Sequence, residues 1–358
     1  MDIQSKACRH VQSLTPYQSA RRIGGHGHTF LNANESPKSE SYLLNSLNLN
    51  RYPDCQPDQV VEPYADFALV RKNQVLVSRG SDEAIGLIIR TFVESDEAIL
   101  IAPPTYGMYK VAADTNNVHV VTANRHEDFS LSADSVLDAV AESPYKVKAV
   151  FIDSPANPLG IVFPKEELIK LLQGLQDTFI VIDEAYIEFA PADADYTALI
   201  NEYDNLIITR TLSKAFALAG IRCGFTLAHP DVIKCMLKVI DPYPISDPVA
   251  QIASQALTPM GINMMKARVA ECQNRRQILE AALLNMPAVE KVFPSHGNFL
   301  LVKFKDGPAV FKAEAARGVI LRSFEDKPGL KNCIRISVGS DLELDEALRI
   351  IESVGNAQ

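Results

Sequence analysis

Short apolar runs alternate with helix-like patterns along the chain up to about residue 245. The runs are rich in Val and Ile, and most lack the apolar–polar alternation of a strand with one wet face. Continuous apolar strands suit a sheet that is covered on both sides. We therefore predict strands at VLVS (75–78), AILIA (98–102), KAVFID (148–153), FIVID (179–183) and NLIIT (205–209).

Helical patterns lie between these runs. One predicted helix has apolar residues at i, i+3, i+4 and i+7 spacing, namely Ile85, Ile88, Ile89 and Phe92. A second opens at Pro164 and carries Leu168, Leu171 and Leu172. Strands that alternate with helices predict an α/β domain with a mostly parallel sheet.

The pattern changes after about residue 245. A long helical stretch follows, with Pro248 near its start and Pro259 interrupting it. Then come FLLVKF (299–304), a predicted helix near 308–317, VILR (319–322) and CIRISV (333–338). We predict an N-terminal segment (1–30) that packs on the domains, a large domain (31–245) and a small α+β domain (246–358).

Composition narrows the class of protein. The 358 residues are 47% hydrophobic and 22% charged, as in ordinary globular enzymes, and the net charge of −9 argues against nucleic acid or an acidic membrane as partner. The N-terminus has no signal-peptide h-region, and no apolar stretch is long enough to span a membrane. The six cysteines form no CxxC pair, which indicates reduced, mostly buried thiols in a cytoplasmic protein.

A lysine block, TLSKAFALAGIRCGF (211–225), carries the strongest candidate chemistry. Lys214 follows a predicted strand in a turn, and a lysine amine can condense with an aldehyde. Ser213 and Arg222 are placed to hold a phosphate beside it. Taken alone, Lys214 is better explained as an ordinary surface lysine, so the rest of the sequence must decide.

Two other segments offer weaker indications. In GSDEAI (80–85) the amides of Ser81 and Asp82 would form an anion site at a helix start, although a Ser or Asp at this position is more often a simple N-cap. In PPTYGMY (103–109), Tyr106 can cover a flat cofactor ring or merely pack against a helix.

Two further segments end predicted strands. SPANPLG (154–160) places Asn157 where open α/β sheets bind ligands, but taken alone the segment is better explained as a plain Pro/Gly turn. IDEAYIEF (182–189) places Asp183 at a strand end, where it can keep a pyridine nitrogen protonated, with Tyr186 three residues later. Together the segments, in this order, favour a cofactor site, whereas the GxGxxG and P-loop patterns are absent.

With these residues in place, the chain resembles the fold-type I pyridoxal-phosphate (PLP) aminotransferases, and among them the histidinol-phosphate aminotransferase family. The resemblance covers nearly the whole chain, through LTPYQ (14–18), LNANESP (31–37), RYPD (51–54), GSDEAI, PPTYGMY, IDEAY, the lysine block and IRISVG (334–339). It implies a mostly parallel seven-stranded sheet flanked by helices, a smaller α+β domain, and transamination of L-histidinol phosphate with 2-oxoglutarate in histidine biosynthesis.

The resemblance also implies residue roles. Lys214 would condense with the PLP aldehyde and move the proton, and Asp183 would pair with the pyridine nitrogen. Asn157 and Tyr186 would bind the ring oxygen, and Tyr106 would stack on the ring. The cofactor phosphate would be held by Ser81, Asp82, Ser213, Arg222 and, from the other subunit of a homodimer, Tyr52. The substrate would be bound by Tyr17, Asn34, Arg322 and Arg335.

Two features depart from the family pattern, and other outcomes stay open. SPANPLG replaces the usual NPNNPTG, and the RRIGGHGHTF segment places His26 and His28 close together, although we expect no metal site because no third ligand is spaced to match. A threonine-phosphate decarboxylase of cobalamin synthesis, or a broader aromatic or aspartate aminotransferase, would share these motifs. A PLP-binding regulator would need a basic DNA-binding domain.

Overall fold

The structure is a computed structural model that describes residues 3–16 and 26–355. Its helices are α1 (Arg9–Gln12), α2 (Asp58–Ala68), α3 (Ser81–Phe92), α4 (Met108–Thr115), α5 (Ala133–Ala141), α6 (Lys165–Gly174), α7 (Pro230–Met236), α8 (Asp247–Ala256), α9 (Pro259–Leu284), α10 (Gly307–Ala316) and α11 (Asp341–Gly355). Short 3-10 helices lie at Gln4–Lys6, Lys72–Gln74, Ile187–Phe189, Ala192–Ala194, Thr197–Asn201 and Ala219–Ile221.

The strands fall into three sheets. They are β1 (Thr29–Phe30), β2 (Val75–Ser78), β3 (Ala98–Ile101), β4 (His119–Thr122), β5 (Val147–Asp153), β6 (Phe179–Asp183), β7 (Leu206–Thr211), β8 (Gly224–Ala228), β9 (Val289–Val292), β10 (Phe299–Phe304), β11 (Val319–Ile320), β12 (Arg322–Ser323) and β13 (Cys333–Ser337). Each apolar run predicted as a strand before residue 245 is a strand, with ends within two residues of the predicted ones.

The large sheet has seven strands in the order β2-β8-β7-β6-β5-β3-β4. The pairs from β7 to β4 are parallel, whereas β8 runs antiparallel to both of its neighbours. The prediction of a mostly parallel seven-stranded sheet is therefore confirmed. The strand β8 begins within the last two residues of the lysine block and pairs antiparallel with β7, so that Gly224 lies opposite Thr211 at the carboxyl end of β7.

Successive residues of the central strands pack into two different cores, one on each face of the large sheet. In β3, Ala98 and Leu100 belong to one core, and Ile99 and Ile101 belong to the other. Both faces of the sheet are therefore shielded from water, which explains why apolar and polar residues do not alternate along the strands. Helix α3 covers one face through its apolar stripe, as its spacing predicts.

The C-terminal part forms a four-stranded antiparallel sheet in the order β12-β13-β10-β9, with its own core. The VILR run, which the sequence placed in the small domain, divides between two sheets. Val319 and Ile320 pair in parallel with β1, whereas Arg322 pairs with β13. A small α+β unit is confirmed, and the chain near residue 30 is joined to it.

The domain boundary at residue 245 stays a prediction. Helix α8 and the first half of α9 contribute Ala253, Met265 and Val269 to a core of the large sheet, whereas Leu279 and Leu283 of α9 belong to the small-sheet core. The long helix α9 therefore contacts both cores. Within residues 3–16 and 26–30, α1 contacts α4 and β1 pairs with β11.

Two further expectations concern exposure. In the described part of the chain, no helix has the length and apolarity needed to cross a membrane. All six cysteines are free, but only Cys223 and Cys333 are buried and Cys8 is exposed. The expectation that most of them fill the core is therefore wrong.

Candidate active site

The carboxyl ends of three parallel strands meet at one edge of the large sheet. Asp153 ends β5 and lies opposite Asp183, which ends β6, and Asp183 lies opposite Thr209 of β7. Lys214 lies in the turn after β7. Because parallel strands point their carboxyl ends the same way, side chains that are distant in sequence gather at this edge.

Asp183 is buried and only partly bonded. Its Oδ2 accepts a hydrogen bond from the Tyr109 hydroxyl at 2.9 Å, and its Oδ1 has no hydrogen-bond partner within residues 3–16 and 26–355. Burial raises the pKa of Asp183 to about 7, against the lowering effect of the Tyr109 hydrogen bond. A buried carboxylate with an open oxygen is prepared to accept a further donor.

Tyr186 lies three residues beyond Asp183, in the loop after β6. Its hydroxyl accepts a hydrogen bond from Asn34 Nδ2 at 2.9 Å, and burial raises its pKa to about 12. Asn34 is itself fixed, since its Oδ1 accepts from the Ser337 hydroxyl and its carbonyl oxygen accepts from Asn298 Nδ2. The structure thus brings Asn34, of LNANESP, beside Tyr186 as one polar network.

The Lys214 amine lies inside the site. Its Nζ donates to the carbonyl oxygen of Ala33 at 2.9 Å and lies 5.7 Å from the centre of the Tyr186 ring. Burial, together with the nearby positive charge of Arg335, lowers its pKa to about 8. A lysine with a lowered pKa offers an appreciable fraction of neutral amine near neutral pH, as a nucleophile or base requires.

The turn before α3 forms a possible anion site. Gly80 has a φ of +81°, and a Cβ there would lie 2.8 Å from Arg222 Nη2, so this position requires glycine. Arg222 Nη2 donates to Asp82 Oδ2 at 3.0 Å, and its Nη1 donates to the Ser213 hydroxyl at 3.3 Å. The structure therefore brings together Ser213, Arg222 and the turn at Ser81 and Asp82.

Two tyrosines of the PPTYGMY block face this region. The Tyr106 hydroxyl donates to Asp82 Oδ1 at 2.8 Å, and the Tyr106 and Tyr109 rings meet edge to face with centres 5.6 Å apart. Tyr109 is fully buried and was missed by the sequence analysis. The available indication was its position three residues after Tyr106 at a helix start, where the two side chains share a face.

Arg335 links the small sheet to the loop after β5. Its Nη1 donates to Asn157 Oδ1 at 2.5 Å, and its Nη2 donates to the carbonyl oxygen of Asn32 at 2.5 Å. Arg322 lies directly opposite Arg335 in the β12–β13 pair, and both guanidinium groups lie within 6 Å of the Phe324 ring. The two arginines therefore lie on the same face of the small sheet.

Some of the predicted residues lie apart from this cluster. Tyr52 is 81% exposed and stacks on Tyr243 at 4.4 Å, and no contact joins it to the other site residues in the described part of this single chain. Tyr17 lies outside the described residues. His28 hydrogen-bonds with Glu346 of α11 at 2.9 Å, which gives this histidine a structural contact.

A cavity of about 280 Å³ opens beside Lys214 on the side of α9. Phe189, Asn298, Arg268 and Arg275 line it, whereas the turn at Ser81 and Asp82 does not. Its volume is close to that of small-molecule pockets. The cavity therefore reaches the lysine from the small-sheet side and does not include the predicted phosphate turn.

Comparison with known proteins places this geometry in context. Residues 26–351 match the family described as aminotransferase class I and II. The chain is 51% identical to a histidinol-phosphate aminotransferase of Aeromonas hydrophila subsp. hydrophila over 99% of each chain, and 52% identical to that of Aeromonas salmonicida over 98% of each. The solved histidinol-phosphate aminotransferase of Sinorhizobium meliloti, in complex with pyridoxal-5'-phosphate, has a TM-score of 0.86 at 24% identity and covers 99% of this chain and 98% of its own. The last likeness establishes the fold.

Proposed function

Because this chain belongs to the class I and II aminotransferases, we propose that it transfers the amino group of L-histidinol phosphate to 2-oxoglutarate, in histidine biosynthesis. The observation that carries the reaction type is the convergence of Lys214, Asp183 and Tyr186 at the carboxyl edge of the sheet. The substrate is supported by the shared name of full-length relatives at about half identity.

The cofactor is PLP, and the residues at the sheet edge fit it. Asp183 Oδ1 is a buried acceptor without a partner among the described side chains, as a protonated ring nitrogen would need. When bound, PLP supplies an electron-withdrawing ring that stabilises negative charge on the substrate carbon. Asp183 holds the proton on the ring nitrogen, which keeps the ring electron-withdrawing.

The remaining cofactor contacts follow from the same cluster. Asn157 and Tyr186 would hold the ring through its oxygen, and Tyr106 would supply an aromatic contact to it. The phosphate is bound by the backbone amides of Ser81 and Asp82 at the start of α3, together with the Ser213 hydroxyl and the Arg222 guanidinium. These roles are those that the family resemblance implies, and the hydrogen bonds of Arg222 to Ser213 and Asp82 support the phosphate site.

Lys214 has two tasks. It would hold the cofactor through its amine, and the same Nζ would serve as the base that removes the proton from the substrate carbon that bears nitrogen. A pKa of about 8 suits this second task, since the neutral amine is then available near physiological pH.

Arg335 and Arg322 provide positive charge for the anionic group of each substrate. Arg335 is buried and held by Asn157, which suits bidentate binding of a carboxylate or phosphate. Arg322 lies opposite Arg335 on the neighbouring strand. Asn34 belongs to the same site through its hydrogen bond to the Tyr186 hydroxyl. Tyr17, the other predicted substrate contact, lies outside the described residues.

The active form is a cytoplasmic homodimer in this proposal. Leu43, Leu47 and Met260 are each more than 70% exposed, which is unusual for large apolar side chains that have no partner surface. Tyr52 is exposed as well and would reach the phosphate of the neighbouring subunit. Light scattering on dilute protein that gives the mass of one chain would contradict the dimer.

The function is tested by single-turnover spectroscopy. L-Histidinol phosphate added to the PLP form should convert the bound cofactor to its amine form, and 2-oxoglutarate should restore it. Lys214→Ala should abolish both half-reactions, whereas Lys110→Ala, an exposed lysine on α4, should not affect them. Carbon dioxide release from L-threonine phosphate, with no conversion by L-histidinol phosphate, would refute the proposal and indicate a decarboxylase.

A further inference from the structure

Asp153 is a buried carboxylate for which the sequence analysis gave no role. It ends β5, is 3% exposed and lies beside Asp183 in the sheet. Its Oδ1 accepts a hydrogen bond from the Thr105 hydroxyl at 2.7 Å, and its Oδ2 accepts one from the Asn157 backbone N–H at 2.7 Å. Both oxygens are therefore used, each by a different loop.

These two loops carry Tyr106 and Asn157, which are proposed to contact the cofactor. Thr105 directly precedes Tyr106, and Asn157 is bound through its own backbone. Asn157 in turn accepts the hydrogen bond from Arg335. One carboxylate thus fixes the aromatic loop after β3 and the amide loop after β5, and through Asn157 it reaches the substrate arginine.

Arg125 supplies the opposite charge. Its Nη2 lies 3.7 Å from Asp153 Oδ1, and its side chain is 5% exposed. The guanidinium is itself held, since Nε donates to the Ala102 carbonyl at 2.9 Å and Nη1 to the Phe129 carbonyl at 3.2 Å. Burial raises the pKa of Asp153 and the Arg125 charge lowers it. A buried charge of this kind is costly unless it is paired and hydrogen-bonded.

We propose that Asp153, with Arg125 as its counterion, is a positioning residue. It holds the loops that carry Tyr106 and Asn157 in place for the cofactor, and through Asn157 it also orients Arg335 for the substrate. The proposal rests on the proposed function for the identity of those ligands. It also gives a physical basis for the variant SPANPLG loop, whose backbone at Asn157 is bound by the residue that ends the preceding strand.

The chemistry of carboxylate and amide groups makes the proposal testable. Aspartate accepts on both oxygens, whereas asparagine offers one acceptor and one donor group. Asp153→Asn therefore cannot keep every contact. With its NH2 group toward Thr105 the threonine hydroxyl can accept, but the amide then opposes the Arg125 guanidinium; with its NH2 group toward the Asn157 N–H that hydrogen bond is lost. Thr105→Val removes only the Thr105 contact, so the two loops can be perturbed separately.

The experiment measures three quantities for each variant of the full-length protein. These are the PLP dissociation constant, the visible circular dichroism per mole of bound PLP, and KM and kcat for L-histidinol phosphate. For Asp153→Asn we expect about 10- to 100-fold weaker PLP binding, the range for a lost hydrogen bond to a buried charge. A changed dichroism band and a KM that rises more than kcat falls should accompany it. Thr105→Val should change the dichroism and leave KM near wild type.

A charge-pair test and a surface control complete the design. Arg125→Met leaves Asp153 buried without its counterion and should bind PLP more weakly than the Arg125→Met/Asp153→Asn double variant. Asp114→Asn removes a half-buried surface carboxylate that pairs with Lys110 on α4 and should match the wild type throughout.

Two results would overturn the proposal. One is an Asp153→Asn protein with wild-type PLP affinity, dichroism and KM. The other is a loss confined to the melting temperature of the PLP-free protein, which indicates a purely structural carboxylate. If Asp153→Asn does not fold, Thr105→Val and the double variant decide the question. If the wild type binds PLP but does not convert L-histidinol phosphate, the proposed function fails, whereas PLP affinity and dichroism still test Asp153.

Discussion

Replacing Glu314 with glutamine should stabilise the folded protein at pH 8 and change its stability far less at pH 5. Glu314 lies in α10 with its side chain fully buried, and neither carboxyl oxygen has a hydrogen-bond partner among the residues the structure describes. Burial raises its pKa to about 8, the negative charge of Glu346 adds to this, and Arg317 partly opposes it. The folded protein therefore keeps Glu314 protonated near neutral pH.

The direction of the pH effect follows from proton binding. The unfolded chain releases the Glu314 proton near pH 4.5, whereas the folded chain keeps it until about pH 8. Because the folded state binds more protons in this interval, the free energy of unfolding falls as pH rises from 4.5 to 8. An interval of about 3.5 pH units, at about 1.4 kcal/mol per unit, sets an upper bound of about 5 kcal/mol.

Urea unfolding of wild type and Glu314→Gln at pH 5, 6.5 and 8 measures this effect, with PLP saturating and protein concentration fixed. Glutamine has no proton to lose, and the cost of burying its amide does not vary with pH, so only the carboxyl contributes to the pH dependence of the difference. We expect the free energy of unfolding of Glu314→Gln, relative to that of the wild type, to rise by several kcal/mol between pH 5 and pH 8. Glu352→Gln, an exposed glutamate on α11, should show no such trend. A difference that stays constant across the three pH values would refute the reasoning.

Three further predictions concern the site. Tyr109→Phe removes the donor to Asp183 Oδ2 and should weaken PLP binding about 10-fold, as measured by fluorescence titration; unchanged affinity would contradict the role of this hydrogen bond. Gly80→Ala introduces a Cβ 2.8 Å from Arg222 Nη2 at a φ of +81° and should lower affinity for PLP more than for pyridoxal, which lacks the phosphate; equal losses for both ligands would argue against a phosphate turn. Because the pKa of Lys214 is lowered to about 8, the stopped-flow rate of PLP loading should rise with pH below that value and level off above it; a rise that continues to pH 10 would indicate an unperturbed lysine.

The sequence predicted the elements of the large sheet well because burial on both faces leaves a direct trace in composition. A strand such as β3 must be apolar at every position when helices cover both sides, so its bounds can be found from the apolar run alone. The division of the VILR run between two sheets could not be predicted, for the opposite reason. Its four residues are continuous in sequence but belong to two sheets. The hydrophobicity of a residue does not indicate the strand with which it pairs.

The site was predicted unevenly for a related reason. Lys214, Asp183 and Asn157 follow strand ends, and topology alone gathers such positions at one edge of a parallel sheet. Tyr109 and Asp153 also lie there, but their importance depends on hydrogen bonds to Asp183 and to the Asn157 backbone. A buried tyrosine or a strand-terminal aspartate has many ordinary explanations in sequence, so neither could be singled out.

By itself, the sequence determined the buried central strands of the large sheet and the chemical groups that end them, because both follow from local residue order. Only the tertiary structure decided how those groups act on each other. Arg335 reaches Asn157 across 178 residues of chain, and Lys214 reaches the Ala33 carbonyl across 181. Burial and proximity at such contacts set the pKa of Lys214 near 8 and that of Asp183 near 7. Electrostatic interactions depend on distance and solvent exclusion, and neither is encoded at a single position in the sequence.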